Sequence, residues 1–521
     1  MEIAERLAAE FKMGNAQVVR TLALLDEGAT VPFIARYRKE QTSNMSEVRI
    51  REIIRRRKFF QELDERRAVI LAGIREQGNL IPELEAKINE TTDQNELEDF
   101  DLPFKPKKTT RGSKAREAGL EPLARRLVEL DDPSADLNAE AAPYVDTEKG
   151  IETAEAALQG AGDILAEEWA DDPEARKTHR ELVRAEGVVV TSPREEFEGR
   201  KSKYEMYYLF RESVNLLPSH RALAIIRGER EKVIKIDLVF PKKPALRNLV
   251  VRFVRHPKSA AASRLVDVAL DALDRLLAPA IETEVLREVR DKAEAEAFKV
   301  FGDNLRDLLL AAPAGRKAVL GVDPGFRTGC KLAVVEATGK FLEYQTIFPN
   351  APKNDVDGSK RALLEMICEH KIALVAVGSG TAGRETETFV RAALEELPQR
   401  SRPACVVVSE SGASVYGASD AAAGEFPRLD VAVRRAISIA RRLQDPLAEL
   451  VKIDPKTIGV GQYQHDVDQP SLKRSLDEVI ESCVNAVGVD VNLASEELLK
   501  YVSGLNRATA AAVVGHRRNN G

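Results

Sequence analysis

The chain has 521 residues, of which 44% are hydrophobic and 31% are charged, so it is long enough for about three or four domains with buried cores. With 78 Lys and Arg against 84 Asp and Glu, the net charge is −6, and any nucleic-acid binding has to come from local basic patches. No stretch approaches the ~20 apolar residues of a membrane span, the N-terminus lacks a signal-peptide core, and the four cysteines lack zinc spacing. These features predict a globular protein of the cytoplasm.

The first part of the chain, residues 1–315, has few glycines and repeats hydrophobic residues at helical spacing, as at Val18, Leu22 and Leu25. This pattern predicts a helical scaffold. Within it, two apolar stretches separated by a polar turn predict a small β-hairpin near residues 222–238. An Ala-Ala-Pro-Ala-Gly segment then predicts the linker into the next domain.

Residues 316–450 have a different pattern, in which strands and helices alternate. The apolar runs predict strands at 318–322, 329–335, 341–347, 372–377 and 404–408. Helical spacing predicts helices at 359–371, 384–397 and 430–444. The order βββαβαβα is that of the ribonuclease-H-like fold. We therefore expect a multidomain, mainly α protein with one α/β domain of this type, followed by a connector and a helical module at 451–521.

Asp323 ends the first of these strands, immediately before a Pro-Gly turn. An Asp in that place is a common turn initiator. However, α/β folds bind their ligands at the C-terminal ends of strands, and nucleases of the ribonuclease-H-like fold keep their first metal ligand on the central first strand. We therefore favour a functional origin for Asp323, with Glu410 at the tip of the fifth strand as the candidate second acid.

A catalytic pair of metal ions would need more acids than these two, since it usually takes about three or four carboxylates to offset the charge. Here the fourth strand ends in the Gly-Ser-Gly of residues 378–380, and Arg435 precedes the small-apolar run of the last helix. We therefore expect Asp323 and Glu410 to face Arg435 in a vestigial catalytic site, with no metal or other cofactor. The alternative is an active metal-dependent nuclease or Holliday-junction resolvase that uses Asp323 and Glu410.

The glycine-rich loop at 378–383, which leads into a helix, allows two interpretations. Its backbone amides can cradle a phosphate at the N-terminus of the helix. A sharp strand-to-helix turn, however, also demands glycine without any ligand. The two interpretations stay open at this point.

Two basic segments interrupt the scaffold. The cations at 51–58 are balanced by nearby acids, which favours a solvated helix face over a phosphate-binding one. A second cluster lies in a loop that contains Pro and Gly, and it is less balanced. For this loop, phosphate binding by Lys107, Lys108 and Arg111 and simple solvation are equal alternatives.

Near the C-terminus, residues 496–518 predict two short helices around a Gly-Leu-Asn turn, which is typical of a helix-hairpin-helix. Such a turn exposes backbone N–H groups that bind a phosphate without reading sequence. Asn506 stands where many such motifs have a second glycine, and Asn tolerates positive φ. The competing interpretation is an ordinary αα-hairpin, but the terminal arginines favour binding. The candidate nucleic-acid-binding residues are Gly504, Asn506, Arg507, Arg517 and Arg518, with Lys107, Lys108 and Arg111 of the basic loop.

Longer motifs resemble a known family. They are LLDEGATVPFIARYRKE (24–40), PSHRALAIIRGE (218–229), GVDPGFRTGCKLAVV (321–335), GSGTAGRETE (378–387), SESGASVYGAS (409–419), DPKTIGVGQYQHDV (454–467) and VSGLN (502–506). Together they resemble the bacterial Tex transcription accessory proteins from end to end. The resemblance implies an elongated helical scaffold with a helix-turn-helix-like N-terminal part, a YqgF-type ribonuclease-H-like domain, helix-hairpin-helix modules, and RNA binding in transcription.

Members of that family normally continue into a second hairpin module and an OB-fold RNA-binding domain, whereas this sequence ends at Gly521. We therefore expect the OB-fold to be absent. The expected function is that of a transcription accessory protein that is not an enzyme. Its expected partners are single-stranded RNA and also DNA, bound largely without regard to sequence, and the transcription machinery. A third interpretation is a protein-interaction scaffold whose helical first half contacts that machinery.

Overall fold

The computed structural model describes residues 2–105 and 109–520. The chain divides into two compact units, the first comprising Met1–Asn15 and Arg51–Glu294 and the second comprising Ala16–Ile50 and Ala295–Gly521. The domain boundaries expected at residues 315 and 450 stay a prediction. Among the described residues, no helix is both long enough and apolar enough to cross a membrane.

Helices dominate the chain up to residue 309, as the hydrophobic spacing predicts. They are α1 (Ile3–Phe11), α2 (Asn15–Asp26), α3 (Val31–Tyr37), α4 (Glu47–Glu76), α5 (Pro82–Glu90), α6 (Gln94–Asp101), α7 (Arg111–Glu117), α8 (Glu121–Glu129), α9 (Leu137–Ala141), α10 (Ala154–Asp171), α11 (Pro173–Glu186), α12 (Ser219–Arg230), α13 (Lys242–Phe253), α14 (Ala262–Asp271) and α15 (Ala278–Leu309). Short 3₁₀ helices lie at Leu102–Phe104, Ala142–Tyr144, Thr147–Lys149, Glu195–Phe197 and Glu205–Tyr207, and a π-helix lies at Ala272–Leu277. Several helices begin at an Asp or Thr cap, such as Asp93, Thr110 and Asp172, because these side chains accept N–H groups that a helix start leaves unpaired.

The first unit contains a small antiparallel sheet of β1 (Val188–Pro193), β2 (Arg211–Ser213) and β3 (Ile234–Val239), in the order β2-β1-β3. The β-hairpin predicted near residues 222–238 is wrong in its first strand, since residues 222–226 belong to α12. A short apolar run is compatible with either a strand or a buried helix, and periodicity alone does not separate them. Strand β3 pairs instead with β1, which lies far earlier in the chain.

The α/β domain has the predicted βββαβαβα order. Its strands are β4 (Val319–Asp323), β5 (Cys330–Val335), β6 (Phe341–Ile347), β7 (Leu374–Gly378) and β8 (Ala404–Val408), and its helices are α16 (Val356–Glu369), α17 (Gly383–Leu394), α18 (Ala413–Ala418), α19 (Asp420–Glu425), α20 (Val431–Gln444) and α21 (Pro446–Leu450). The sheet order is β6-β5-β4-β7-β8, with β4 antiparallel to β5 and parallel to β7. This is the ribonuclease-H-like arrangement. The sequence does not predict α18 and α19, because six residues each are too few to show a helical period.

Strand β4 is the centre of this sheet and is buried along its whole length. One face packs against α16 and α17, and the other packs against α20. The contact with α20 is so close that a Cβ added to Gly321 would overlap the carbonyl oxygen of Ala436. Since such packing leaves little freedom, the C-terminal end of β4 holds Asp323 in a fixed position.

The chain continues through a 3₁₀ helix at Pro455–Thr457 into α22 (Gln469–Val487), α23 (Glu496–Leu499) and α24 (Arg507–Asn520). Helices α23 and α24 are joined by the turn expected for a helix-hairpin-helix. The cysteines are free: Cys330 and Cys483 are buried, whereas Cys368 is exposed.

Candidate functional site

Asp323 is the last residue of the central strand β4. It lies at the C-terminal end of the strand, beside the end of the parallel strand β7. Only 3% of the residue is exposed. Burial raises the pKa of its carboxyl group, because the charged form loses hydration, and a hydrogen bond from Arg435 opposes this rise. The carboxylate therefore depends on a nearby cation to stay ionised.

That cation is the guanidinium of Arg435 on α20. Its Nη2 donates to Oδ2 of Asp323 at 2.5 Å, and its Nε donates to the same oxygen at 3.2 Å. Its Nη1 donates to Oγ of Ser414 at 3.4 Å. The Arg435 side chain is 30% exposed, against 4% for Asp323. Helix α20 thus places a fixed positive charge where a metal ion would have to meet Asp323.

Glu410 follows β8 and directs its carboxylate at the loop after β7. A Cβ added to Gly380 would overlap this carboxylate, and one added to Gly378 would lie 2.9 Å from its Oε2. The two glycines therefore leave room for the carboxylate of Glu410. Neither interpretation of this loop, as a phosphate cradle or as a plain strand-to-helix turn, anticipates this use of the glycines. Two amides of the loop are also used within the protein, since Ser379 donates to Val408 at 3.0 Å and Gly383 donates to Gly380 at 2.8 Å.

The expectation that both carboxylates pair with Arg435 is wrong for Glu410. The side chain of Arg435 bonds to Asp323 and Ser414, while Glu410 stands over the glycine loop. The negative charge of Glu410 still acts on Asp323 and contributes to its raised pKa. The physical reason for the difference is the space above the two glycines, which the carboxylate fills.

Arg442 is a further charged residue near this site, and the sequence patterns do not indicate it. Only 4% of it is exposed, and its Nη1 donates to the carbonyl oxygens of Ser409 and Ser411 at 2.7 and 2.8 Å. Because these residues flank Glu410, Arg442 holds the segment that carries this carboxylate. The sequence feature that could have indicated Arg442 is its spacing. It lies seven residues after Arg435 and therefore on the same face of α20. Burial lowers the pKa of Arg442.

The ribonuclease-H-like fold implies a pair of metal ions, but the residues present do not fit one. The guanidinium of Arg435 already pairs with Asp323 and would repel a divalent cation there. Asp430 is used as the cap of α20, where it accepts the N–H of Val433 at 2.9 Å. Asp323 and Glu410 are too few on their own to offset two divalent cations.

The basic segment predicted as a loop lies partly in helix α7 (Arg111–Glu117), and part of its charge is engaged in internal ion pairs. These pairs are Lys105 with Glu98 at 2.8 Å and Arg116 with Glu168 at 2.9 Å. Arg111 is the first residue of α7 and is exposed. Lys107 and Lys108 lie outside the described residues. Phosphate binding by this loop stays a prediction.

The basic face at 51–58 is largely balanced within the first unit. Arg56 lies 2.7 Å from Glu10, and its guanidinium lies 4.3 Å from the ring centre of Phe59. Lys58 lies 3.4 Å from Glu62. These contacts agree with the interpretation that the sequence favours, a helix face whose charges are paired locally.

The turn between α23 and α24 is closed by a hydrogen bond from the N–H of Leu505 to the carbonyl of Val502 at 2.9 Å. Gly504 has a φ of +89°, which favours glycine. Asn506 precedes α24, and its Oδ1 accepts the N–H of Thr509 at 2.9 Å. Asn506 does not use the positive φ that Asn tolerates. Asn stands here because its side chain caps the helix.

The arginines of α24 have different surroundings. Arg517 donates to the carbonyl oxygens of Val491 and Ala494, both at 2.9 Å, so it ties α24 to the preceding loop. Arg507 and Arg518 are exposed. The two arginines look equivalent in the sequence, whereas in the structure Arg517 bonds within the protein and Arg518 lies at the surface.

Four family models match successive parts of the chain. They are a Tex-like protein N-terminal domain at residues 1–75, a Tex central region-like model at 132–301, a Tex protein YqgF-like domain at 317–444 and a helix-hairpin-helix motif at 484–521. The YqgF-like match contains Asp323, Glu410 and Arg435. The last match contains the turn at Gly504.

Whole-chain comparisons agree with these matches. Protein tex of Bordetella pertussis is 46% identical and is aligned over 100% of this chain and 67% of its own length. Protein YhgF of Escherichia coli is 46% identical over 99% of this chain and 67% of its own length. Transcriptional accessory protein Tex of Neisseria gonorrhoeae is 44% identical over 100% and 68%. The chain thus spans about two thirds of the length of these relatives, and it belongs to the Tex family.

Proposed function

We propose that this chain is a nucleic-acid-binding transcription accessory protein of the cytoplasm, whose YqgF-like domain does not cleave phosphodiester bonds. A relative at 44% identity is named a transcriptional accessory protein, and the helix-hairpin-helix match supports binding to a sugar-phosphate backbone. The ligands are single-stranded RNA and DNA, bound largely without regard to sequence, and the protein partner belongs to the transcription machinery.

The observation that carries the absence of cleavage is the ion pair between Asp323 and Arg435. Nη2 of Arg435 lies 2.5 Å from Oδ2 of Asp323, and only 4% of the Asp323 side chain is exposed. A divalent ion at Asp323 would have to displace a guanidinium that the carboxylate itself stabilises. Since the carboxylate of Glu410 lies against Gly378 and Gly380 and does not complete a metal site with Asp323, this arrangement favours a structural role.

The observation that supports nucleic-acid binding is the geometry of the hairpin. The capped N-terminus of α24 presents backbone N–H groups and the positive end of a 14-residue helix. Arg507 and Arg518 add exposed positive charge. These groups contact phosphates rather than base edges, which explains why little sequence preference is expected.

A cleavage assay tests the first half of the proposal. The chain is incubated with Mg²⁺ or Mn²⁺ and single-stranded RNA, duplex DNA or four-way junctions, and we expect the substrates to stay intact. Asp323→Asn is the matched control, because it removes the charge of the candidate metal ligand at nearly constant shape. Cleavage by the unmutated chain that this substitution abolishes would overturn the proposal in favour of a metal-dependent nuclease.

A binding assay tests the second half. Asn506→Asp keeps the helix cap, because Asp caps as well as Asn, but it places a negative charge beside the expected phosphate. We expect this variant to melt at the same temperature and to bind single-stranded RNA more weakly. Unchanged RNA affinity at low salt would count against the hairpin as the binding site.

A further inference from the structure

A groove of about 400 Å³ lies beside the hairpin. One wall is helix α22, which contributes Lys473, Arg474 and Asp477, and the other is the segment after α23, which contributes Lys500 and Tyr501. Tyr501 precedes the turn glycine Gly504 by three residues, so the two lie at most about 10 Å apart along the chain. The groove thus adjoins the proposed phosphate-binding turn along the chain.

The acids of this groove are already engaged. Asp477 pairs with Lys473 at 3.0 Å through one oxygen and accepts the hydroxyl of Tyr501 at 3.3 Å through the other. Glu478 and Glu481 hold further interactions within the chain. Arg474 on α22 and Lys500 on the opposite wall are exposed. The groove therefore offers exposed positive charge to a ligand from both walls, and the charge of Asp477 is compensated by Lys473.

Tyr501 supplies an uncharged aromatic wall. Burial, together with the charge of Asp477, raises the pKa of its phenol, so the ring stays neutral. The ammonium of Lys500 lies 5.1 Å from the ring centre. An aromatic side chain between cations is the combination with which proteins bind single strands, because bases stack on the ring while phosphates pair with the charges.

We propose that this groove binds the part of a single-stranded nucleic acid that continues from the phosphate held at the hairpin. A base contacts the ring of Tyr501, and the adjoining phosphates contact Arg474 and Lys500. The inference rests on the proposed function of the hairpin and adds to it the site that selects a single strand over a duplex. A base in a duplex would first have to leave its stack to reach Tyr501, which costs free energy.

The test is fluorescence anisotropy with a labelled single strand of about 12 nucleotides, within the site sizes of such modules, as RNA and as DNA, and with the corresponding duplex. For the double variant Arg474→Ala/Lys500→Ala we expect about tenfold weaker binding of both single strands and a salt slope lower by about two. Duplex affinity should stay within about twofold. Arg428→Ala is the control, because it removes an exposed cation that does not line the groove, and it should bind as the unmutated chain does.

Two substitutions of the aromatic wall keep the test independent of folding. Tyr501→Phe preserves the ring and should retain single-strand binding, whereas Tyr501→Leu removes the stacking surface and should weaken it about tenfold. Equal binding by the Phe and Leu variants would overturn the stacking contact, and thermal melts of all variants exclude global unfolding as the cause of a loss.

The hairpin variant Arg507→Ala/Arg518→Ala distinguishes a failure of the groove inference from a failure of the proposed function. If it binds weakly while Arg474→Ala/Lys500→Ala binds like the unmutated chain, the groove inference fails and the proposed function stands. If the unmutated chain binds neither RNA nor DNA, both fail. If Arg474→Ala/Lys500→Ala lost duplex and single-strand binding equally, the single-strand preference would be overturned. If that variant lost binding to an acidic peptide but not to RNA, the groove would be a protein-docking surface.

Discussion

The edge of the sheet around Asp323 and the hairpin after Tyr501 use arginine in opposite ways. At the sheet edge, Arg435 pairs with the buried Asp323, and Arg442 donates to two carbonyl oxygens. At the hairpin, Arg507 and Arg518 are exposed. A buried charge has to be paired within the protein, whereas an exposed one stays hydrated until a ligand displaces the water.

The comparison teaches that the surroundings of an arginine, rather than its presence in a motif, decide whether it stabilises the fold or binds a ligand. Arg517 shows this within one helix, since it is adjacent to Arg518 but donates to two carbonyl oxygens of the preceding loop. We therefore expect substitutions at the sheet edge to change stability and substitutions at the exposed hairpin arginines to change binding.

The largest expected effect comes from Gly321→Ala, which tests how rigidly the sheet edge is held. The added methyl group would overlap the carbonyl of Ala436 on α20, so strand and helix must separate at a cost of about 3 kcal/mol. Chemical denaturation measures it. Gly380→Ala is the control, because its methyl group meets only the flexible end of Glu410 and should cost less than about 1 kcal/mol. Equal costs for both substitutions would contradict the rigid packing of β4.

Arg435→Ala should have the next largest effect, about 2 kcal/mol, because it leaves the buried carboxylate of Asp323 without its cation. Removing one partner of a fully buried pair usually costs more, but Arg435 is 30% exposed. Arg428→Ala, at an exposed position of the same domain, should change stability by less than about 0.5 kcal/mol. Added Mg²⁺ should partly restore the Arg435→Ala variant and leave the unmutated chain unchanged, whereas a metal enzyme predicts the reverse.

The same variant should respond to pH. The pKa of Asp323 is already raised by burial, and loss of the guanidinium raises it further. As the pH falls through that raised pKa, the folded variant takes up a proton while the unfolded chain, with a pKa of about 3.9, does not, so the folded state gains stability. The stability deficit of Arg435→Ala should therefore be largest at neutral pH and smaller in mild acid. A deficit that grows on acidification would show that Asp323 is not the group left unpaired.

The smallest expected effect separates the adjacent arginines of α24. Arg518→Ala should leave the melting temperature unchanged and lower the salt slope of RNA binding by about one, because one phosphate contact is lost. Arg517→Ala should instead destabilise the module by about 1 kcal/mol through the loss of its hydrogen bonds, with faster hydrogen exchange in α24. If Arg517→Ala lowered the salt slope without changing exchange, the two roles would be reversed.

The sequence by itself determines the order of elements in the α/β domain and the place of Asp323 at the end of β4. The hydrophobic residues of its strands and long helices recur with a clear period, so these elements can be predicted without knowing what they pack against. The sequence also places Arg435 directly before the small-apolar run of the last helix. These features are local, and the structure agrees with them.

Only the tertiary structure decides what each charged side chain contacts. It places Glu410 over Gly380 rather than on Arg435, and it assigns Arg442 to the backbone of the Glu410 segment. It also places residues 222–226 in a helix, because their environment comes from chain segments far away in sequence. Such long-range contacts leave no periodic signal, and for this reason the sequence predicts where the charges of this protein lie but not which of them are already paired.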